Sequence, residues 1–416
     1  MAHRLLTGDD GFSGAVLGPS SDPTRYRLVR RLNGKEHATL GNRSPPEVWM
    51  AVESSTNRSV VVKIVRLCMD TLNGPLQGVA THLSHANGFE KPVQRGVPQP
   101  VLKRHPGQTH CVSILDSFGL PWEEGREPVL DEESEDYDTE DGAVVLEELG
   151  PSLALWQKER TSPLFPLSLV RRIIQQVLLA VDNLHSWSQR PSTAHLGISL
   201  DNVLFAQHYT PQDLRADKPS TQLHVKLVGF TTSIWDYGDE GTNWYAPSDW
   251  DLSSPELMLT GACYGDFGPP RATDIWQLGL ITSFLLFNKD LTLPGLAARD
   301  QVYSPVTHDH AVDHFPLSRE AVLSLASLDR DAGWPKFFDE TNLFEHNPNY
   351  PFNLPGVVPL PSLRERIEAE GVLSDSREVD LVTSFLGACW TLDPYKRASA
   401  KELLEGEFIK GVEKEG

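Results

Sequence analysis

At 416 residues the chain exceeds the size at which one hydrophobic core stops growing, so two lobes or domains are expected. With 39% hydrophobic and 23% charged residues, it is neither a disordered nor a fibrous chain. The formal net charge of −20, from 37 basic and 57 acidic residues, argues against nucleic acid or an anionic membrane as partner and favours a basic one.

The first elements read as strands. Tyr26–Val29, Val48–Val52 and Ser59–Ile64 are rich in β-branched and aromatic residues and are separated by turn-forming stretches, the pattern of an antiparallel meander. A helix is expected over Leu76–His85, followed by a Pro- and Gly-rich loop. Cys111–Leu115 and Ala143–Leu146 read as two further strands flanking an acidic insertion at 123–141. That insertion carries eleven carboxylates against the single Arg126, a net of −10 and half of the chain's excess. It reads either as a solvated surface loop or as a docking site for an arginine-rich peptide.

Beyond Gly150 the period changes. Leu169–Val181 places apolar residues at three- and four-residue steps, as a core-facing helix requires, and Thr273–Phe287 and Glu378–Trp390 read as further buried helices. The expected organisation is an N-terminal extension over 1–25, a strand-rich lobe over 26–149, a helical lobe over 150–410 and a tail over 411–416. The longest apolar run, Leu278–Phe287, is interrupted by Thr282 and Ser283 and is too short for a bilayer. The first 26 residues lack a signal-peptide core, and Cys68, Cys111, Cys263 and Cys389 lie far apart without a C-x-x-C pair. A soluble intracellular chain in a reducing compartment, cytoplasmic or nuclear, is expected.

The chemistry-bearing motifs come in a fixed order. Val60-Val61-Val62-Lys63 ends a strand on a lysine; His195-Leu196-Gly197-Ile198-Ser199-Leu200-Asp201-Asn202-Val203-Leu204 follows a helix; then come Val225–Thr231, Ser254-Pro255-Glu256, Thr273–Gly279 and Asp393–Ser399. In order and spacing they resemble the V-A-I-K, H-R-D-x-K-x-x-N, D-F-G, A-P-E, D-x-W-x-x-G and D-P-x-x-R motifs of eukaryotic protein kinases. Glu147-Glu148-Leu149-Gly150-Pro151-Ser152-Leu153, Ala180–His185 and His308–Ala311 are similar to the SR-protein-kinase branch, which phosphorylates serines in arginine/serine-rich segments. The resemblance covers roughly Tyr26 to Phe408 and implies an α+β bilobal fold, with a small antiparallel-sheet N-lobe and a larger helical C-lobe.

By the same resemblance, the candidate nucleotide-binding residues are Lys63, Asn202, Gly34, Glu147 and Leu149, with Asn202 also a candidate metal ligand. The cofactor implied is ATP, with or without Mg; the alternative is a chain that binds none. Glu256 and Arg397 match the buried ion pair of the family, and Asp274 the carboxylate that braces the catalytic loop. The catalytic positions depart from the pattern. Gly197 and Gly229 stand where the proton-accepting and metal-holding aspartates should be, and Ser199 where the loop lysine should be. Gly78 falls at the expected place of the glutamate partner of Lys63, and residues 33–47 lack G-x-G-x-x-G. Asn202 with Asp201 could bind a cation or could simply hydrogen-bond the loop backbone. The expectation is a pseudokinase that acts by binding a protein or an arginine-rich peptide; the alternative is a divergent active serine/threonine kinase.

Overall fold

The computed structural model describes residues 14–32, 47–66, 105–120, 141–159, 165–186, 192–207, 209, 223–230, 233–236, 254–256, 269–292, 324–325, 328 and 361–411. Gly34, the helix expected over Leu76–His85 with Gly78, the acidic run up to residue 140, His308–Ala311, Cys68 and Cys263 lie outside the described residues. The chain divides into two compact units between Gly150 and Pro151. The architecture is α+β.

The first unit is one antiparallel sheet. Its strands are β1 (Val16–Leu17), β2 (Tyr26–Arg31), β3 (Glu47–Glu53), β4 (Arg58–Arg66), β5 (Ile114–Gly119) and β6 (Asp141–Glu147), in the spatial order β1-β2-β3-β4-β6-β5. Strand period decides which residues form the core. Tyr26 and Leu28 from β2, Trp49 and Ala51 from β3, Val60, Val62 and Ile64 from β4, and Ala143 and Val145 from β6 meet on one face. The sheet starts upstream of the expected boundary at Tyr26. Gly14 N–H donates to Leu28 O and Leu28 N–H to Ala15 O, both at 2.8 Å, so part of the expected 1–25 extension is sheet edge.

The strand expected over Cys111–Leu115 begins later, at Ile114. A short 3-10 turn over Pro106–His110 precedes it, the Cys111 N–H closes that turn on Gln108 O, and Cys111 forms only an isolated bridge before the strand begins. Cys111 and Val112 are both buried, which gives an apolar run without alternation that sequence alone reads as strand.

The second unit is mostly helical. It contains α1 (Leu153–Glu159), α2 (Leu167–His185), α3 (Pro270–Phe287), α4 (Leu363–Ala369), α5 (Ser376–Cys389), α6 (Ala400–Leu404) and α7 (Glu407–Lys410). Two small antiparallel ribbons accompany them, β8 (Val203–Phe205) with β9 (Val225–Leu227) and β7 (Ser192–Ala194) with β10 (Ile234–Asp236). In α2, Val170, Ile173, Ile174, Val177, Leu178 and Val181 are all buried, the stripe that their spacing requires. Helix α3 is buried almost all round and begins a turn before the expected Thr273, because Pro270 occupies the first turn, where no N–H is needed. Helix α5 likewise starts early, at Ser376, where the Asp375 carboxylate accepts the Arg377 N–H as a cap.

Close packing fixes α3 against the end of α5. A Cβ built on Gly279 would lie 2.9 Å from both Trp390 Cδ1 and Cys389 Cβ, so only glycine admits this approach. Elsewhere one buried guanidinium gathers distant backbone. Arg366 donates from Nε to Pro361 O at 2.8 Å, from Nη1 to Leu291 O at 2.7 Å and Thr292 O at 3.2 Å, and from Nη2 to Ser324 O at 2.9 Å. Ser324 Oγ adds a 2.6 Å bond to Thr292 O. Among the described residues no helix is long and apolar enough to cross a membrane.

Candidate functional site

In the first unit, Lys63 lies in the middle of β4 with Val48 of β3 and Val144 of β6 directly opposite on its two sides. Directly paired residues share a face, so the lysine stem is flanked by valines. The side chain is buried, and burial lowers its pKa from 10.5 to about 8. Glu147 ends β6, and its carboxylate accepts the Ser113 N–H at 2.7 Å while its own N–H donates to Ser113 O. That candidate side chain therefore holds β5 to β6. Leu149 is half-buried.

In the second unit, the loop 195–202 leaves β7 and enters β8. The carboxylate of Asp274, fully buried in α3, accepts the His195 N–H at 2.8 Å and the Leu196 N–H at 2.7 Å. His185 Nε2 reaches the same carboxylate at 2.9 Å. One turn on, Gln277 accepts the Ile198 N–H at 2.9 Å and donates to Leu196 O at 3.3 Å. The i, i+3 spacing of Asp274 and Gln277 puts both on one side of α3, where they satisfy successive loop amides. Between them Leu196 is held at φ 58°, a left-handed conformation that costs a non-glycine residue about 1–2 kcal/mol. The loop is over-determined by its hydrogen bonds, and that keeps the strained residue in place.

His195 ties this loop to the next one. Its Nδ1 accepts the Gly197 N–H at 3.2 Å, which leaves Nε2 to carry the proton and donate to Val228 O at 2.8 Å. Its ring meets Phe230 edge-on with centroids 4.8 Å apart. The Val228 N–H donates to Asn202 O at 2.9 Å, so the loops 195–202 and 228–230 are cross-braced through both backbone and side chain.

The structure brings Asn202, which matches the kinase pattern, together with Gly197, Ser199 and Gly229, which depart from it. Asn202 donates from Nδ2 to Gly197 O at 2.8 Å. Its N–H donates to Ser199 O at 3.1 Å and leans on Ser199 Oγ at 3.3 Å, which turns the serine hydroxyl toward the loop backbone. Gly229 sits at φ 85°, and a Cβ built on it would lie 2.5 Å from Asn202 Cγ and 2.7 Å from Nδ2. The Asn202 carboxamide thus lies over Gly229, in the space that a side chain there would enter.

This donor set does not fit a divalent magnesium ion. Mg²⁺ is held by carboxylates in near-octahedral geometry, and these positions offer two glycines and one neutral amide, whose Nδ2 donates to the loop and whose Oδ1 is a single uncharged oxygen. Among the described residues no group of three or more His, Cys, Asp or Glu side chains could hold a metal ion. Asp201, the carboxylate adjacent in sequence, is exposed.

Behind the loops, Arg397 meets Glu256 in a bidentate pair, Nη1–Oε1 2.7 Å and Nη2–Oε2 2.9 Å, with both side chains buried. Arg397 also donates to Ala272 O at 2.8 Å and Thr391 O at 2.9 Å, and its guanidinium stacks 5.2 Å from the Trp276 ring centre. Every face of the buried cation is therefore matched. The bracing roles of Gln277 and His185 escape a sequence reading that looks for chemistry; the available signal is the three-residue step from Asp274 to Gln277.

No model of a known protein family matches the chain. Three curated proteins are similar to it. The serine/threonine-protein kinase AFC3 of Arabidopsis thaliana is 23% identical over 340 residues, covering 76% of this chain and 71% of that protein. The serine/threonine-protein kinase SKY1 of Saccharomyces cerevisiae is 27% identical over 195 residues, 47% of this chain and 21% of that protein. The dual specificity protein kinase CLK1 of Mus musculus is 22% identical over 281 residues, 65% of this chain and 50% of that protein. The chain therefore spans half or less of the last two. It is related to the protein kinase superfamily, and the α+β architecture agrees with the bilobal fold of these kinases.

Proposed function

We propose that this protein is a pseudokinase: a kinase-fold chain, related to the SR-type kinases, that works by binding a protein partner rather than by transferring phosphate. The observation that carries this reading is the joint loss of both carboxylates, at Gly197 and Gly229. Glycine can neither accept the proton of an incoming hydroxyl nor hold a metal through a side chain, and no rotamer change repairs that. Removal of a general base costs about 10²–10⁴ in rate, and loss of metal stabilisation several kcal/mol more. The partner that fits the charge is a basic, arginine-rich segment, since the acidic run at 123–141 holds half of the chain's net charge of −20.

Purified full-length protein incubated with ATP, magnesium and an arginine/serine peptide should give no transfer above background. Sustained transfer that disappears in Lys63→Ala would defeat the proposal. Binding of the same peptide, measured by fluorescence anisotropy, should weaken as salt rises, because the attraction is screened.

The second reading is a divergent active serine/threonine kinase, favoured by Lys63 and Asn202 and by the kinase names of the relatives. It requires Asn202→Ala to abolish transfer. A thermal-shift titration with ATP, with and without magnesium, separates a nucleotide-binding switch from a nucleotide-free scaffold, because a ligand of the folded state alone raises its stability.

A further inference from the structure

The residues at 197, 202 and 229 do not accommodate magnesium, and the reason is more specific than the absence of an aspartate. We infer that Asn202 and Gly229 form a size-matched pair, in which the carboxamide fills the volume of the missing side chain and closes the metal position against divalent cations. The inference concerns only atoms of the second unit and holds whether the protein binds partners or transfers phosphate.

Three observations converge on it. First, Oδ1, Cγ and Nδ2 of Asn202 all lie closer to the ideal Cβ position of Gly229 than real Cβ contacts allow, with Cγ at 2.5 Å, Nδ2 at 2.7 Å and Oδ1 nearer still. The three atoms form one planar group, so an added Cβ must displace the whole carboxamide. Second, the amide is held there. Nδ2 donates to Gly197 O at 2.8 Å, the Asn202 N–H to Ser199 O at 3.1 Å, and Asn202 O accepts the Val228 N–H at 2.9 Å. The Nδ2 bond to Gly197 O fixes the amide plane, and that plane sets Oδ1 against Gly229. Third, Gly229 stands at φ 85°, so it carries two separate demands for glycine, one from its backbone and one from Asn202.

The two demands predict different outcomes, which makes the pair testable. Any side chain at 229 suffers the φ penalty in every background, but only a background with Asn202 adds the collision. The carboxylate at 229 therefore cannot be regained by one substitution: Gly229→Asp must first displace the amide. Asn202 is in this sense a positioning residue for the two loops, not a metal ligand.

The experiment is a double-mutant cycle on the full-length chain, read by thermal unfolding, with Gly229→Ala, Asn202→Ala and the double variant. Gly229→Ala should lower the melting temperature of the parent by at least twice as much as it lowers that of Asn202→Ala. Failure of Gly229→Ala to fold in the parent while the double variant folds supports the pair in its strongest form. Equal drops, or failure to fold in both backgrounds, assign the need for glycine to φ alone and overturn the pair. A second arm needs no variant at position 229: titration of the parent and of Asn202→Ala with Mn²⁺ alone, followed by the spin-resonance signal of the free ion. The carboxylates of 123–141 take up some Mn²⁺ in both, so the readout is the saturable part that Asn202→Ala removes. None is expected; a saturable component lost in Asn202→Ala would make Asn202 a metal ligand and overturn the inference.

Discussion

The two sides of the loop 195–202 are built to opposite standards. Toward α3, the bracing groups are matched: Asp274 takes two loop amides, Gln277 a third, and Arg397 and Glu256 join in a buried bidentate pair. At the positions where a kinase does chemistry stand two glycines, a serine turned to its own backbone and an amide spent on the loop. The contrast separates what a fold needs from what a reaction needs. Buried polar groups are expensive when orphaned, so loss of one brace would endanger the whole unit. A catalytic carboxylate that no longer works can become glycine at little structural cost, provided a neighbour fills the space.

Breaking the braced side should give the largest effect. Arg397→Met leaves Glu256 buried without its partner and should cost ~3–5 kcal/mol of unfolding free energy, measured by urea denaturation. Replacing both residues with apolar ones of similar volume should cost much less, because no charge is then stranded. Next comes Lys63, the buried lysine of β4 in the first unit. Its folded pKa of about 8 lies below the unfolded value of 10.5, so the charged form is the less stable one in the fold. Between those values the unfolded chain binds more protons, and stability rises with pH through that window. The rise in stability between about pH 8 and 10.5 should be seen in the parent by chemical denaturation and should be lost in Lys63→Met, which has no proton to bind. Asp274→Asn keeps one acceptor but turns an amino group toward a loop N–H. It should cost ~1–3 kcal/mol and increase hydrogen exchange at His195 and Leu196.

The smallest effect sharpens the comparison most. Gly197→Asp with Gly229→Asp restores both formal carboxylates, yet phosphate transfer to an arginine/serine peptide should remain at background. Asn202 covers position 229 and Ser199 still replaces the loop lysine. Robust rescue would mean that the amide moves aside freely.

Much of this was legible in the residues themselves. The valine run before Lys63 marks a central strand, and the three- and four-residue steps of Leu169–Val181 mark a buried helix, because each pattern follows from side-chain periodicity alone. The motif order pointed to a kinase-like chain, and the two glycines announced themselves as departures from it. What could not be read was anything set by through-space distance. Cys111 and Val112 look like strand residues because burial without alternation is ambiguous, and only the hydrogen bond to Gln108 O resolves it. That Asn202 braces the loop through its bond to Gly197 O is likewise set by distance and not by residue type. That its amide lies over Gly229, across a gap of many residues in sequence, carries no sequence signature at all.

The knot of hydrogen bonds around Arg366 has a consequence for how such a chain tolerates substitution. Leu291, Thr292, Ser324 and Pro361, from separate stretches of the sequence, are all fastened to one side chain. A single change at Arg366 would take a donor from four carbonyl acceptors at once, so the cost of losing this residue is shared by several segments and not confined to its own helix.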